Sequence, residues 1–101
     1  MKLTNEFESI REWAKQRGIY EKGDIKTQII KLQEEVGELA KSILNQDSIE
    51  FSDAIGDCVI VLTNLAKLNN YNIEDCINES FLVIASRTGV MENGTFKKDK
   101  K

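Results

Sequence analysis

This chain is organised around the stretch from Lys31 to Leu62, KLQEEVGELAKSILNQDSIEFSDAIGDCVIVL. Apolar residues recur through its first half and the residues just before it at alternating spacings of four and three, which is typical of one face of an α-helix. They are Ile25, Ile29, Leu32, Val36, Leu39 and Ile43. The second half carries a similar stripe: Phe51, Ala54, Ile55, Cys58, Leu62 and Leu65. The short connection 45–47 makes the two helices antiparallel neighbours, so the sequence predicts a helical hairpin.

Acidic residues lie on one flank of each apolar stripe. On a helical wheel, Glu35 and Glu38 border the stripe of the first helix, whereas Glu34 falls on its far side. Asp53 and Asp57 lie on the corresponding flank of the second helix. A two-fold axis relates antiparallel neighbours, so the two flanks converge. The register of a hairpin turning near residue 46 places Glu35 opposite Asp57 and Glu38 opposite Asp53.

These four carboxylates predict a metal site. Carboxylates held close together raise one another's pKa values, so this arrangement gives the folded protein no stability unless a cation is bound. Oxygen ligands without His or Cys suit Mg²⁺, or alternatively Mn²⁺. We therefore expect Glu35, Glu38, Asp53 and Asp57 to bind the metal. The alternative is a solvated acidic face whose carboxylates pair with lysines.

Two segments of the hairpin resemble a known enzyme family. Glu35-Val-Gly-Glu38, followed by Asp53-Ala-Ile-Gly-Asp57 and an apolar run, is similar to the MazG-like all-α nucleoside triphosphate pyrophosphohydrolases. The signature of that family is Glu-x-x-Glu, a spacer and then Glu-x-x-Asp. The resemblance extends to WAKQRGI at 13–19 and RTGVMENGTFKKD at 87–99.

The chain departs from the signature at one ligand. If Asp57 is the final Asp, Ala54 stands where the third Glu is expected. Two residues can take its place. Asp53 lies one position earlier, and Glu50 begins a literal Glu-x-x-Asp that ends at Asp53.

The resemblance implies a reaction and a set of substrate contacts. The expected reaction is Mg²⁺-dependent hydrolysis of an NTP or dNTP to the monophosphate and pyrophosphate, with Glu35 as the catalytic group that takes a proton from water. The expected substrate-binding residues are Trp13, Arg17, Gln28, Lys31 and Arg87. Trp13 and Arg17 have a structural alternative, a cation–π contact one helical turn apart. For Arg87 the alternative is a favourable interaction with the helix dipole.

Three other functions remain open at this point. Two are enzymes with the same carboxylate arrangement, a phosphoribosyl-ATP pyrophosphohydrolase and an all-α dUTPase. The third is a non-catalytic helical dimerisation module whose acids only solvate an edge. Release of pyrophosphate that depends on Mg²⁺ separates the enzymes from the dimerisation module.

Composition limits the class of protein further. The 101 residues predict a single domain, 1–101, whose tail, 90–101, is either a solvated end or a lid over the substrate. The absence of His removes Ser/His/Asp triads and nearly all catalytic zinc sites. A net charge of −3 argues against a nucleic-acid partner, and no signal peptide or membrane-spanning run is visible. We expect a cytoplasmic protein with a small-molecule substrate and no membrane partner.

The periodicity predicts an all-α bundle of about four helices, and the resemblance implies that the bundle is MazG-like. We place them near 5–17, 24–44, 48–69 and 72–89, with a loop at 18–23 and with Asp24, Ser48 and Asn72 as N-caps. The third helix is apolar nearly all round, so we expect a homodimer or homotetramer. In the fourth helix Ile73, Cys76, Ile77, Ser80, Phe81, Ile84 and Ala85 are expected to face inward.

Overall fold

The computed structural model describes residues 3–99, with side chains from Glu6 onward. Five helices precede two strands within that range. Their bounds are α1 Leu3–Gln16, α2 Ile19–Lys22, α3 Ile25–Leu44, α4 Ser48–Leu68, α5 Ile73–Ala85, β1 Gly89–Glu92 and β2 Thr95–Lys98. The all-α class is confirmed, and a small terminal β-hairpin is added to it.

The α3–α4 hairpin is the centre of the fold, as predicted. The chain turns over residues 45–47, where Gln46 adopts a left-handed conformation with φ of 54°. The Asp47 N–H then donates to the carbonyl of Ser42 at 3.0 Å, which satisfies one of the free carbonyls at the end of α3. Within the described residues α3 packs on α4 alone, whereas α4 also contacts α1, α2 and α5.

Two aspartates cap the central helices. The Asp24 carboxylate accepts from the backbone N–H of Thr27 at 2.8 Å, which confirms the predicted cap of α3. The predicted Ser48 cap of α4 is wrong, because Ser48 is already the first helical residue. Asp47 has the extended backbone that an N-cap requires, and its carboxylate accepts from the N–H of Glu50 at 3.0 Å.

The predicted loop 18–23 contains the one-turn helix α2, so that prediction is also corrected. Gly18 permits the sharp entry into α2, because its φ of 77° is readily adopted only by glycine. The turn is fixed by a long-range contact. The Tyr20 hydroxyl donates to Oδ1 of Asn64 at 2.6 Å, and Asn64 is buried in α4.

The central helices bury only part of each predicted apolar stripe. Ser42, Ala54 and Val61 are almost fully buried, and all three lie on the acidic side of their stripes. The opposite side is exposed. We call it the open face, and it comprises Ile25, Ile29, Val36, Ile43, Phe51, Ile55 and Leu62, each 41–58% exposed.

Helix α5 lies mostly clear of its own protomer. Only Ile73 is buried, so the predicted inward face of this helix is wrong for the single chain. Cys76 and Ile77 instead line an apolar groove of about 610 Å³ between α4 and α5. The helix also ends at Ala85, earlier than the predicted Gly89, and its Asn72 N-cap makes no side-chain hydrogen bond.

The terminal hairpin follows the predicted turn. Asn93 and Gly94 have φ values of 52° and 81°, the two positive angles that a two-residue hairpin turn requires. Met91 pairs with Phe96 in the antiparallel register. The tail lysines Lys100 and Lys101 lie outside the described residues.

An ion pair joins the ends of the fold. The Arg11 guanidinium of α1 makes two hydrogen bonds, of 2.7 and 2.6 Å, to the carboxylate of Glu74 at the start of α5. This bidentate pair is one of the few attachments of α5 to the rest of the protomer. None of the helices in the described residues has both the length and the apolar character that crossing a membrane would require.

Candidate active site

Carboxylates from α3 and α4 line one edge of the central hairpin. We call Glu35, Glu38, Glu50, Asp53 and Asp57 the acidic edge. Its α3 members follow from the helical phase. The Glu35 side chain is only 15% exposed, whereas the neighbouring Glu34 points to solvent, as expected from the wheel.

Lys31 and Gln28 extend this flank of α3 toward its N-terminus. Lys31 Nζ lies 3.6 Å from Oε1 of Glu35, one turn away along the same helix. Gln28 is partly buried beside them. Both predicted substrate contacts therefore lie next to the acidic edge, although Lys31 is already paired with one of its carboxylates.

The α4 side of the edge has three acids in different surroundings. Glu50 and Asp57 are partly buried, and Asp53 is exposed. Ala54, which stands where the family signature has a third Glu, is fully buried. A side chain at position 54 would point into the protein core, so a ligand from this part of α4 has to come from Asp53 or Glu50.

The acids of the two helices influence one another electrostatically. The pKa of Glu50 is raised above its ordinary value, first by burial and then by the charges of Asp53, Glu38, Asp47 and Asp57. Glu38 belongs to α3, so the charge of one acidic flank acts on a carboxyl group of the other. Repulsion of this kind is relieved by a cation, and the donor set consists of hard carboxylate oxygens.

This donor set fits Mg²⁺ or Mn²⁺ in its chemistry. As the side chains stand, no three metal-binding side chains among the described residues are arranged around a common point. The residues that would hold the ion are therefore identified by their chemistry and by their shared edge.

The other predicted substrate residues lie elsewhere. Trp13 and Arg17 form the predicted cation–π contact on α1, with the guanidinium carbon 4.4 Å from the ring centre. Helix α1 packs on α2, α4 and α5 and does not approach α3, so this pair is not brought to the α3 acids. Arg87 is exposed just beyond α5.

Two long-range polar contacts could not be predicted from the sequence. The Arg11–Glu74 pair joins residues 63 positions apart, and Tyr20 bonds Asn64 across 44 positions. Burial raises the pKa of Tyr20, and the nearby Arg11 opposes that effect. Nothing in the local sequence indicates which distant residues will meet, so no sequence signal was available for either contact.

The α3–α4 hairpin and its acidic edge lie within the part of the chain that a known protein family matches. The family model described as the MazG nucleotide pyrophosphohydrolase domain matches residues 24–88, which extend from the cap of α3 to just beyond α5. The chain therefore belongs to the MazG family. The matched range includes the whole acidic edge and excludes α1, α2 and the terminal hairpin.

One curated relative is a phage protein. It is described as an uncharacterized 18.2 kDa protein in the rep–hol intergenic region of Haemophilus phage HP1, strain HP1c1. The chain is 39% identical to it over 62 residues, which is 61% of this chain and 38% of that protein. The matched segment thus spans well under half of the relative's length. No solved structure matches the chain.

Proposed function

We propose that this protein hydrolyses a nucleoside triphosphate, NTP or dNTP, to the monophosphate and pyrophosphate at the acidic edge. The observation that supports the proposal is the row of carboxylates shared by α3 and α4, in which the charge of Glu38 acts on Glu50. Family membership gives the reaction class, and the edge gives the residues. We propose Mg²⁺ as the cofactor, with Mn²⁺ as a substitute.

The residues that would hold the cation are the carboxylates of the acidic edge. When bound, the cation would neutralise the triphosphate and polarise the α-phosphoryl group. Glu35, Glu38 and Asp57 are the primary ligands in this proposal. Glu50 and Asp53 compete for the position left by Ala54. The partial burial of Glu50, together with the charge of Glu38 that acts on it, favours Glu50.

The chain's own groups position the other reactants. The Glu35 carboxylate takes the proton of the attacking water as the water oxygen bonds to the α-phosphorus. The bond from that phosphorus to the oxygen bridging to the β-phosphorus breaks, and pyrophosphate leaves with its electron pair. Lys31, now 3.6 Å from Glu35, would turn to the phosphate oxygens when the substrate binds.

We also propose that the protein is a cytoplasmic homo-oligomer with no nucleic-acid or membrane partner. The accessible surface of 8124 Å² exceeds the ~5,800 Å² of a folded monomer of this mass by about 2,300 Å². The radius of gyration is 16.1 Å, against about 13 Å for a compact chain of this length. A standard interface buries only ~800 Å² per partner, so the excess is large enough for a stable dimer.

The proposed reaction is tested by measuring pyrophosphate release across the NTPs and dNTPs, with dUTP and phosphoribosyl-ATP included. We expect release that requires Mg²⁺ or Mn²⁺ and stops with excess chelator. Activity confined to dUTP or to phosphoribosyl-ATP would assign the chain to that narrower enzyme type. No release from any of these substrates would contradict the proposal and favour a dimerisation module.

A further inference from the structure

The terminal hairpin, β1 and β2 with their turn, packs on no other element among the described residues of its own protomer. Its two strands approach each other and no other strand or helix of the described residues. Every residue from Val90 to Asp99 is exposed. Helix α5, with 13 residues, is about 20 Å long and carries the hairpin away from the α3–α4 pair.

The hairpin has two different faces. On one face Lys97 pairs with Glu92 at 3.7 Å. The other face carries Met91, Phe96 and Lys98, because alternate residues of a strand point to opposite sides. The end of the Phe96 ring lies over Gly89, only 2.8 Å from where a Cβ of that residue would stand, so the ring fits there only because residue 89 is glycine.

Lys98 has no carboxylate within ion-pair distance among the residues the structure describes, unlike Lys97. Arg87, just before the hairpin, is likewise exposed and makes no ion pair with the described carboxylates. Lys98 shares a face of the hairpin with the apolar side chains Met91 and Phe96, and Arg87 lies two residues before the first strand. A surface of this composition fits a partner that is apolar at one side and strongly negative at the other.

The central hairpin of a second copy has that composition. Its open face is apolar, and residues 31–57 contain seven carboxylates against two lysines. A triphosphate bound at the acidic edge needs cationic groups around its oxygens. Within one protomer, Lys31 is the cation placed at the edge, and Glu35 already engages it.

We propose that the hairpin of one protomer closes over the acidic edge of a second copy, where Lys98 and Arg87 contact the phosphates of the substrate. The active site is then shared between two chains. The inference rests on the proposed function for the identity of the ligand, but the docking of the hairpin can be measured without any reaction. It concerns residues mostly beyond the matched range 24–88.

The docking is tested by carbodiimide cross-linking, which joins a lysine amine to a carboxylate. Unlabelled and ¹⁵N-labelled proteins are mixed, allowed to exchange subunits and cross-linked, and the proteolytic fragments are weighed by mass spectrometry. We expect links between Lys98 and carboxylates of the acidic edge in which one half is light and the other heavy. Lys98→Arg should abolish them, and Lys97→Arg should not.

Two results would overturn the proposal in this experiment. Links carried only by fragments of the same isotope would show that the hairpin folds back on its own chain. Links from Lys98 that never involve the acidic edge would show that the hairpin docks elsewhere, and absence of any link from Lys98 would have the same meaning. All of these outcomes are readable even if the protein hydrolyses no nucleotide.

A complementation assay tests the role of the hairpin in the reaction. Glu35→Gln removes function from the edge, and Lys98→Glu removes it from the hairpin, so each variant alone should be nearly inactive. Mixed dimers of the two contain one intact edge facing one intact hairpin. Random exchange should then restore about one quarter of the wild-type activity, because half of the dimers are mixed and each has one complete site.

The matched control is Lys97→Glu, on the opposite face of the same strand, which should retain wild-type activity alone. If the wild type is active and mass spectrometry shows mixed dimers without recovered activity, the shared site is refuted. If Lys98→Glu alone is fully active, the hairpin has no part in the reaction, and that also refutes the proposal. Inactivity of the wild type on every nucleotide would instead refute the proposed function.

Discussion

Glu34 and Glu35 are neighbours of the same type with different surroundings. Glu34 is exposed, whereas the Glu35 side chain is 15% exposed and lies 3.6 Å from Lys31. Helical phase alone produces this difference, because adjacent residues are separated by about 100° around the axis. We therefore expect Glu35 to have a role in catalysis and Glu34 to have none.

Glu35→Gln should therefore lower the rate of pyrophosphate release by about 100-fold or more, since it removes one charge from the metal-binding and proton-accepting group. Glu34→Gln should change it only a few-fold. Glu38→Gln and Asp57→Asn should resemble Glu35→Gln. Helicity measured by circular dichroism controls for misfolding. Equal losses for Glu34→Gln and Glu35→Gln would contradict the assigned edge.

Glu50 is destabilised as a carboxylate in the folded protein, because its pKa is raised by burial and by its acidic neighbours. Because the pKa of Glu50 is raised, the stability that this carboxyl group contributes is fully present below its ordinary pKa of 4.5. That contribution is lost as the pH rises through the pKa that Glu50 has in the folded protein. Without divalent metal, Glu50→Gln should thus raise the melting temperature at pH 7, and the gain should vanish below about pH 4.

Millimolar Mg²⁺ should raise the melting temperature of the wild type by mass action. If Glu50 is a ligand, Glu50→Gln should show a smaller metal-dependent increase and a severe loss of activity, and Asp53→Asn should be mild. The reverse order would make Asp53 the replacement for the missing Glu. If millimolar Mg²⁺ and Mn²⁺ leave the melting temperature of the wild type unchanged, the proposed metal site is wrong.

The position of helix α5 on the protomer depends on a small number of contacts. Ile73 is buried at its start, and Glu74 binds Arg11 of α1 through two hydrogen bonds. The Arg11 guanidinium lowers the pKa of Glu74, and the carboxylate raises the pKa of Arg11 in turn. The side chains are 18% and 25% exposed, so solvent screens this pair only in part.

Glu74→Gln should reduce the free energy of unfolding by about 1–2 kcal/mol at pH 7, because it leaves a partly buried guanidinium without its charge partner. Because the pKa of Glu74 is lowered, the stability that this carboxylate contributes is fully present above its ordinary pKa of 4.5. That contribution is lost as the pH falls through the pKa that Glu74 has in the folded protein. The difference between wild type and variant should therefore shrink in acid. Urea unfolding at several pH values measures it, with Glu79→Gln on the exposed part of α5 as the control.

A single chain leaves a large apolar surface exposed to water. The seven residues of the open face are 41–58% exposed, and the groove beside α5 is open as well. Exposed apolar patches of this extent mark an interaction surface. The open face lies on the other flank of α3 and α4 from the acidic edge, so self-association there leaves the edge accessible.

Ile29 and Ile30 provide a matched test of this interface. Ile29 belongs to the open face, whereas Ile30 lies about 100° further round α3. We expect the wild type to be a dimer or larger at micromolar concentration. Ile29→Asp should shift it to the monomer or unfold it, and Ile30→Asp should leave the assembly intact. Light scattering and sedimentation measure both; a monomeric wild type would refute the interface, and equal effects would refute its position on α3.

The local structure, and the flank of each helix on which the acids lie, could be predicted from the amino-acid sequence. Apolar spacing predicted the two long helices, Asp24 was recognised as a cap, and Asn93-Gly94 predicted the hairpin turn. These features depend on residues close together in the chain, where helical phase and backbone preference decide the outcome.

The rotation of the helices about their axes and the contacts between distant residues depend on how the helices pack, and the sequence pattern did not predict them. The apolar stripes of α3 and α4 are wide enough to be packed in more than one way, and the structure buries their acidic sides around Ser42 and Ala54. The same pattern cannot distinguish a face covered within the chain from one left for a second copy, which is why α5 was wrongly predicted to face inward. Burial depends on which surfaces meet in space, and periodicity records only that a surface is apolar.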